Sequence, residues 1–524
     1  MTERTSTTDR ASTIASRARI VDQLRPATAA WSVNGRDVEF VADFELAVEP
    51  GGLLVVTTPA GAQLLVQVHD LTACTHAGLA VEVDTDELAI DGLRRATVNL
   101  SLRMVAGTGV VLGGLDGAVA GPFDEATLHP ADDDSVAGYF DGVLGGAPGL
   151  EIGTVRASTV PARLAPTGFA RHTFMCGQSG SGKTFSLGVV LERLLYETEL
   201  PVVILDPNSD YVNLGKLLGR AAINRFATAP LTREEYAELA ARYPERADVV
   251  VASANRGDVP LRIHLSDLTL HEQALTMQLD PIEDPDEYHA LIDATGSLGA
   301  RPYGIAELSS ALLDRFDDAS RQLARRIANL GLADWPVWAE PDEPSLAGAA
   351  AGHRVLVLDT GSLSSVHERS VVSLALLGKI RHRTDRRAVS VVIDEAHNVC
   401  PPDARTRLEQ AVTELALWIA GEGRKYGIYL LLSTQRPQKI HRNVLSQCDN
   451  LLLMRVNSVG DLEELTAVFS HVPAPLIAEA RAHRMGEMLA AGPIAPTPLR
   501  LQMGARWTQE GGADLPTTWA TRQD

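Results

Sequence analysis

From about residue 30 to 120 the chain runs in short alternating or apolar segments separated by turn residues: DVEFVADFELAV, LLVVTTPAGAQLLVQVHDL, GLAVEVDTDELAI and ATVNLSLRMV. Alternation with a period of two is what a strand with one buried face produces. PAGA between two Val- and Leu-rich runs reads as a hairpin, and four or more such strands predict a small β-barrel. A stretch rich in Gly and Asp follows, from Gly107 to about Gly149, and reads as a linker holding a short helix.

From Glu151 the texture changes to apolar strands alternating with longer helical patterns, the mark of an α/β fold whose mostly parallel sheet is covered on both faces. HTFMCG, PVVILDP, RVLVLDT, SVVIDEA, IYLLLSTQ and NLLLMRV are the expected strands. Several are continuous apolar runs, as strands buried on both faces require. Between Asp210 and about Gly352, segments such as HEQALTMQLD and GIAELSSALLDRF have helical spacing, broken by Pro281, Pro285 and Pro302, and predict a helical insertion. The expected organisation is therefore a tail at 1–19, a barrel at 20–120, a linker at 121–150, a core at 151–210 and 353–505, an insertion at 211–352 and a second tail at 506–524. No repeat of fixed period interrupts it.

Composition narrows the class. With 524 residues, 45% of them hydrophobic, the chain can bury several cores. No apolar run approaches the roughly 18 to 20 residues that cross a bilayer, and MTERTSTTDRASTIASRAR lacks the apolar centre of a secretory signal, so a cytoplasmic protein without a membrane span is expected. Cys74, Cys176, Cys400 and Cys448 are scattered without a C-x-x-C pair, which argues against zinc and disulfides and suits a reducing compartment. A formal net charge of −20 repels polyanions at long range, so any nucleic-acid contact must be local, as in a ring with a basic lumen.

The chemistry centres on Gly177, Gln178, Ser179, Gly180, Ser181, Gly182, Lys183 and Thr184, which fit G-x-x-x-x-G-K-[ST] between an apolar strand and a helical pattern. Glycines let backbone N–H groups fold around a phosphate chain, and the helix presents its positive end to the same charge. Lys183 is placed to reach the β- and γ-phosphates of ATP, and the Thr184 hydroxyl to ligate Mg²⁺. SVVIDEAHN supplies the second half: Asp394 to hold Mg²⁺ through water and Glu395 to polarise the attacking water as general base. Paired acids favour hydrolysis over nucleotide storage.

The run from Gly421 to Val456, GEGRKYGIYLLLSTQRPQKIHRNVLSQCDNLLLMRV, closely resembles the segment after the acidic strand in HerA-like ATPases of the HerA/FtsK superfamily, as do DEAHN and DPNSDY (Asp206 to Tyr211). The likeness covers about 150–505, and PGGLLVVTTPAGAQLLVQVHDLT resembles the small HAS-type barrel that precedes the motor in those proteins. The resemblance implies a RecA-like P-loop core and a homo-hexamer with ATP at subunit interfaces. It further implies double-stranded DNA through a central pore and, often, a nuclease or other effector partner. Gln435 matches the family's polar residue at the tip of the strand after the acidic one, placed to sense the γ-phosphate or orient water. Arg171 and Arg424 match arginines that complete the site around the γ-phosphate, one of them from a neighbouring subunit. Asp210 after Ser209 departs from the family, which usually has a glutamate after glycine there.

Two local basic clusters oppose the global charge. Lys379, Arg381, His382, Arg383, Arg386 and Arg387 form one, and Arg436, Lys439, His441 and Arg442 the other. Either suits backbone contacts inside a ring, indifferent to base sequence. A DNA translocase or helicase is the leading reading. An ATP-gated platform that activates a partner effector, as in phage defence, and a secretion or conjugation ATPase are its rivals.

Overall fold

The computed structural model describes residues 28–84, 95–115, 117–146, 149–227, 229–349 and 352–512. The tail read at 1–19 and the end of the second tail, 513–524, lie outside them. The chain divides near Val143, with Arg156–Val160 returning to the first part, into two compact units.

The first unit is a closed antiparallel barrel, in the order β1-β2-β5-β4-β3-β6. Its strands are β1 (Ala29–Ser32), β2 (Asp37–Asp43), β3 (Leu53–Thr57), β4 (Gln63–Asp84), β5 (Arg95–Gly114) and β6 (Phe123–Pro130). Alternation builds it: Val38, Phe40 and Ala42 point into the barrel while Asp37 and Glu39 face solvent. Closure between β1 and β6 leaves no edge among these strands. β6 falls beyond residue 120, in the stretch read as linker. Only Ala126 and Leu128 of FDEATLHP are buried, so its strand signal is faint in sequence.

The larger unit holds a sheet of twelve strands, ordered β12-β11-β13-β10-β14-β15-β9-β16-β17-β18-β7-β8. They are β7 (Leu150–Val155), β8 (Pro161–Leu164), β9 (His172–Cys176), β10 (Val202–Asp206), β11 (Val249–Ser253), β12 (Val259–Pro260), β13 (Val355–Asp359), β14 (Val389–Ile393), β15 (Ile428–Thr434), β16 (Cys448–Leu453), β17 (Glu487–Ala491) and β18 (Leu499–Met503). From β12 to β16 all neighbours are parallel, and the remaining pairs are antiparallel. Every residue of β9, β13 and β14 is buried, which is why their sequences are mostly apolar, with His172, Thr173, Asp359 and Ser390 as buried polar exceptions.

Helices cover the sheet: α1 (Lys183–Glu197), α2 (Pro285–Leu298), α3 (Ile305–Leu313), α4 (Asp318–Asn329), α5 (Val366–Arg381) and α6 (Arg407–Glu422). α2, α3 and α4 pack on one another through Leu291, Ala294, Leu308, Leu312, Leu323 and Ile327, within the stretch read as an insertion. That stretch also contributes β11 and β12 to the sheet. VVVAS is too short for periodicity to separate it from the helix Arg233–Ala247 just before it. No helix among the described residues is long and apolar enough to cross a membrane.

Arg506–Thr508, read as the start of a tail, are packed. Glu192 of α1 is fully buried, and its carboxylate accepts hydrogen bonds from the N–H groups of Trp507 (2.7 Å) and Thr508 (2.8 Å). The Arg193 guanidinium lies 3.3 Å from the centre of the Trp507 ring. A buried carboxylate demands such partners, and nothing local in GARWTQEGG announces them.

Candidate nucleotide site

β9 ends in the phosphate loop, and the loop's backbone explains its glycines. Gly180 and Gly182 adopt φ of 74° and 90°, a region side chains disfavour. At Gly177 a Cβ would lie 2.7 Å from Ser181 Oγ and 2.9 Å from Met454 Cβ, so the chain could not pass there with a side chain. Gln178 N–H donates to the Arg455 carbonyl (2.9 Å), and the Arg455 guanidinium donates to the Gly180 carbonyl (3.0 Å), which ties the loop to the end of β16. α1 starts directly after Gly182 with no side-chain cap, leaving its first N–H groups for an anion.

β14 leads directly into Asp394 and Glu395. In the sheet β15 separates β14 from β9, and the three parallel strands end on one edge, where open α/β sheets bind ligands. There Lys183 Nζ lies 2.7 Å from Asp394 Oδ1, 3.5 Å from Glu395 Oε1 and 2.9 Å from the Ser433 hydroxyl. Burial alone would lower the Lys183 pKa, but Asp394 and Glu395 outweigh it and hold the ammonium above the usual lysine value. Asp394 Oδ2 is buried without a hydrogen-bond partner. The half-buried Thr184 hydroxyl belongs to the first turn of α1.

Glu395 sits at φ 45°, a left-handed conformation that costs a non-glycine residue about 1–3 kcal/mol and recurs at functional sites. Its carboxylate accepts from Gln435 Nε2 (3.0 Å), at the tip of β15, and lies 3.2 Å from His397 Nδ1. Burial would raise its pKa, but the His397 hydrogen bond, Lys183 and Gln435 bring it down to about 2. The group is thus a carboxylate at neutral pH.

Beside these, Asp206 ends β10 and Asp210 lies in the loop after it. Burial pushes Asp206 up to about 7 against its hydrogen bonds from the backbone of Tyr211 and Asp210. Asp210 is raised to about 6 by burial and by Asp394. The shorter side chain at 210 therefore still senses the site.

Arg171 and Arg424 are elsewhere. Both precede their strands, β9 and β15, on the opposite edge of the sheet, and both bind Asp449 at the start of β16, at 3.5 Å and 2.8 Å. A five-residue strand spans roughly 16 Å. Within one chain the two arginines are together, but not with Lys183. Asp449, Ser433 and His397 carried no mark in the sequence; the polar pair Asp449-Asn450 ahead of the apolar run of β16 was the signal available for the first. The basic clusters also separate by edge. Lys379 to Arg387 precede β14, and there Arg383 pairs with Asp385 while Arg381 lies over Trp418. Arg436, Lys439 and Arg442 follow β15 on the edge of the phosphate loop, all exposed.

A parallel sheet that carries a phosphate loop on one strand and paired acids two strands away, with a polar side chain on the strand between, defines a P-loop ATPase. The family described as Helicase HerA, central domain, matches residues 150–308. Over that stretch and beyond it, the chain is similar to HerA-like P-loop ATPases. It is 21% identical over 399 residues to the DNA double-strand break repair helicase HerA of Saccharolobus solfataricus, a match covering 72% of each chain. A probable helicase of Methanocaldococcus jannaschii is 28% identical over 127 residues, and that match spans 24% of either chain. Among solved structures, VirB4 of Thermoanaerobacter pseudethanolicus is similar with a TM-score of 0.46 and 17% identity, over 68% of this chain and 96% of that one.

Proposed function

We propose that the protein is a hexameric, DNA-stimulated translocase that hydrolyses ATP between subunits. The observation that carries this reading is the course of β15. Its tip, Gln435, holds the Glu395 carboxylate, and the next residues form the exposed basic loop Arg436, Lys439, Arg442. One short segment thus joins a hydrolytic carboxylate to a surface suited to phosphodiester backbones.

In this reading the loop amides of residues 177–184 and Lys183 bind the triphosphate, Lys183 exchanging Asp394 for phosphate. Thr184 and Asp394 would hold Mg²⁺, for which the unpartnered Asp394 Oδ2 is a fitting ligand; the ion supplies charge neutralisation on the phosphate oxygens. Glu395 takes a proton from the attacking water and Gln435 orients it. Arg171 and Arg424, on the far edge, serve the nucleotide of an adjacent subunit, which calls for a ring. Relatives that carry repair names make double-stranded DNA the expected substrate and a nuclease the expected kind of partner, in the cytoplasm.

Turnover is expected to rise several-fold with duplex DNA, and Glu395→Gln to retain ATP binding while losing turnover. Hydrolysis by Glu395→Gln at the wild-type rate refutes the assignment of the base. The net charge of −20 favours a second reading, an ATP-gated platform for a partner effector. Ring formation with ATP, and turnover indifferent to DNA, would decide for it.

A further inference from the structure

Three contacts join the loop after β14 to the loop after β15. Gln435 Nε2 donates to Glu395 Oε1 at 3.0 Å, and His397 Nδ1 stands 3.1 Å from the Thr434 hydroxyl and 3.2 Å from Glu395 Oε2. Further along, the His441 N–H donates to the Cys400 carbonyl at 2.8 Å. Nδ1 of His397 is hydrogen-bonded with the Thr434 hydroxyl and stands beside Glu395 Oε2, a buried oxygen with no hydrogen-bond partner of its own; in the tautomer that carries its proton on Nδ1, the imidazole bridges the two. The Thr434 hydroxyl in turn accepts the N–H of Arg436, the first residue of the basic loop (3.1 Å).

Glu395 needs such a clasp. Its backbone is in the left-handed region, where only surrounding contacts keep a glutamate, and its side chain is only slightly exposed. Lys183 is committed at 2.7 Å to Asp394 and reaches Glu395 at 3.5 Å, so it does not fix the direction of that carboxylate. Two groups do fix it, Gln435 and His397, and both are tied to the strand end that leads into the basic loop. A carboxylate displaced by about 1 Å from the line of attack can lose up to 10²-fold in rate.

We infer that His397 is a positioning residue of the hydrolytic site: through Nδ1 it clasps Glu395 to Thr434, so that the placement of the loop Arg436–Arg442 sets the placement of the general base. The proposal rests on the reading of Glu395 as base and deepens it, by giving DNA on the basic loop a path to the carboxylate that runs through side chains 3 Å apart. His397 itself touches neither phosphate nor water in this role.

The test is steady-state ATP turnover of the full chain, with and without duplex DNA, for His397→Ala, His397→Asn and Thr434→Val. Asparagine can place its amide nitrogen near the position of Nδ1. His397→Ala is expected to lower kcat about ten- to a hundredfold with KM for ATP within twofold, and His397→Asn to recover to within about threefold of wild type. Thr434→Val, which keeps the side chain's shape, is expected to lose most of the DNA stimulation while melting at the wild-type temperature. An alanine variant with wild-type kcat, or an asparagine variant as slow as alanine, overturns the clasp. Wild-type stimulation in Thr434→Val overturns the link to the loop. If wild-type turnover ignores DNA altogether, the translocase reading falls, and the kcat comparison of the two His397 variants still decides the clasp. Should His397→Ala fail to fold, His397→Asn against His397→Gln decides it, because glutamine cannot present a donor at Nδ1 and is expected to behave as the slow variant.

Discussion

Replacing Lys183 should destabilise the nucleotide-free protein as well as abolish ATP binding. The lysine side chain is 4% exposed, Asp394 0% and Glu395 10%. Alanine would strip the buried Asp394 carboxyl of its ion-pair partner, with one of its oxygens already lacking any hydrogen-bond partner. Removing one member of a buried ion pair typically costs about 3–5 kcal/mol, because the survivor keeps its desolvation penalty and loses its compensation. For a unit several hundred residues long, an unfolding entropy of about 2.1 cal/mol/K per residue converts this to roughly 4 to 6 °C in Tm. Calorimetry without nucleotide or Mg²⁺ measures it. Lys183→Met, which keeps the stem's volume, should fall as far as Lys183→Ala. Lys183→Ala/Asp394→Asn should regain at least half of the loss, since the orphaned charge is gone. Wild-type stability in Lys183→Met, or a double variant no better than Lys183→Ala, would refute the account.

Other outcomes follow from the same geometry. Asp449→Ala frees Arg171 and Arg424 and should cut kcat about tenfold with Tm nearly unchanged, because exposed pairs contribute about 0–1 kcal/mol; unchanged turnover would remove both arginines from the site. Lys439→Ala/Arg442→Ala should weaken duplex binding and flatten the slope of log K against log salt by about 1.8, two phosphate contacts' worth, as read by anisotropy. Asp206 and Asp210 have folded pKa values of about 7 and about 6, above the roughly 3.9 of an unfolded aspartate. The folded state therefore keeps protons that the unfolded state has lost between about pH 4 and 7. Stability from these groups is full below that window and declines as pH rises through it. Denaturant midpoints measured without Mg²⁺ at pH 5 and 8 check the sign: Asp206→Asn should reduce the decline.

Six of the twelve strands of the larger unit, β9, β10 and β13 to β16, were legible because burial on both faces favours largely apolar runs, and the phosphate loop because close approach and positive φ force glycine. Lys183, Asp394, Glu395 and Gln435 converge since three of the parallel strands carry them to one edge, which the alternation of strand and helix already implied. What stayed hidden were features whose cause lies far away in sequence. VVVAS becomes a strand only because β13 offers an unpaired edge. Arg506 to Thr508 become structure only because Glu192, over three hundred residues earlier, is buried and needs donors. The separation of Arg171 and Arg424 from Lys183 follows from their preceding rather than following their strands, a rule of topology and not of composition.

The pairing of β7 with β18 and the docking of Trp507 and Thr508 on α1 set the order in which this chain can mature on the ribosome. The barrel has all six strands once Pro130 has emerged, so it can close early in synthesis. The motor cannot. Its first strand, β7, pairs early with β8, but its other edge waits for β18, and Glu192 stays without its backbone donors until translation has passed Thr508. A premature stop near residue 500 would leave a finished barrel attached to an open sheet, a product for proteases and chaperones to remove.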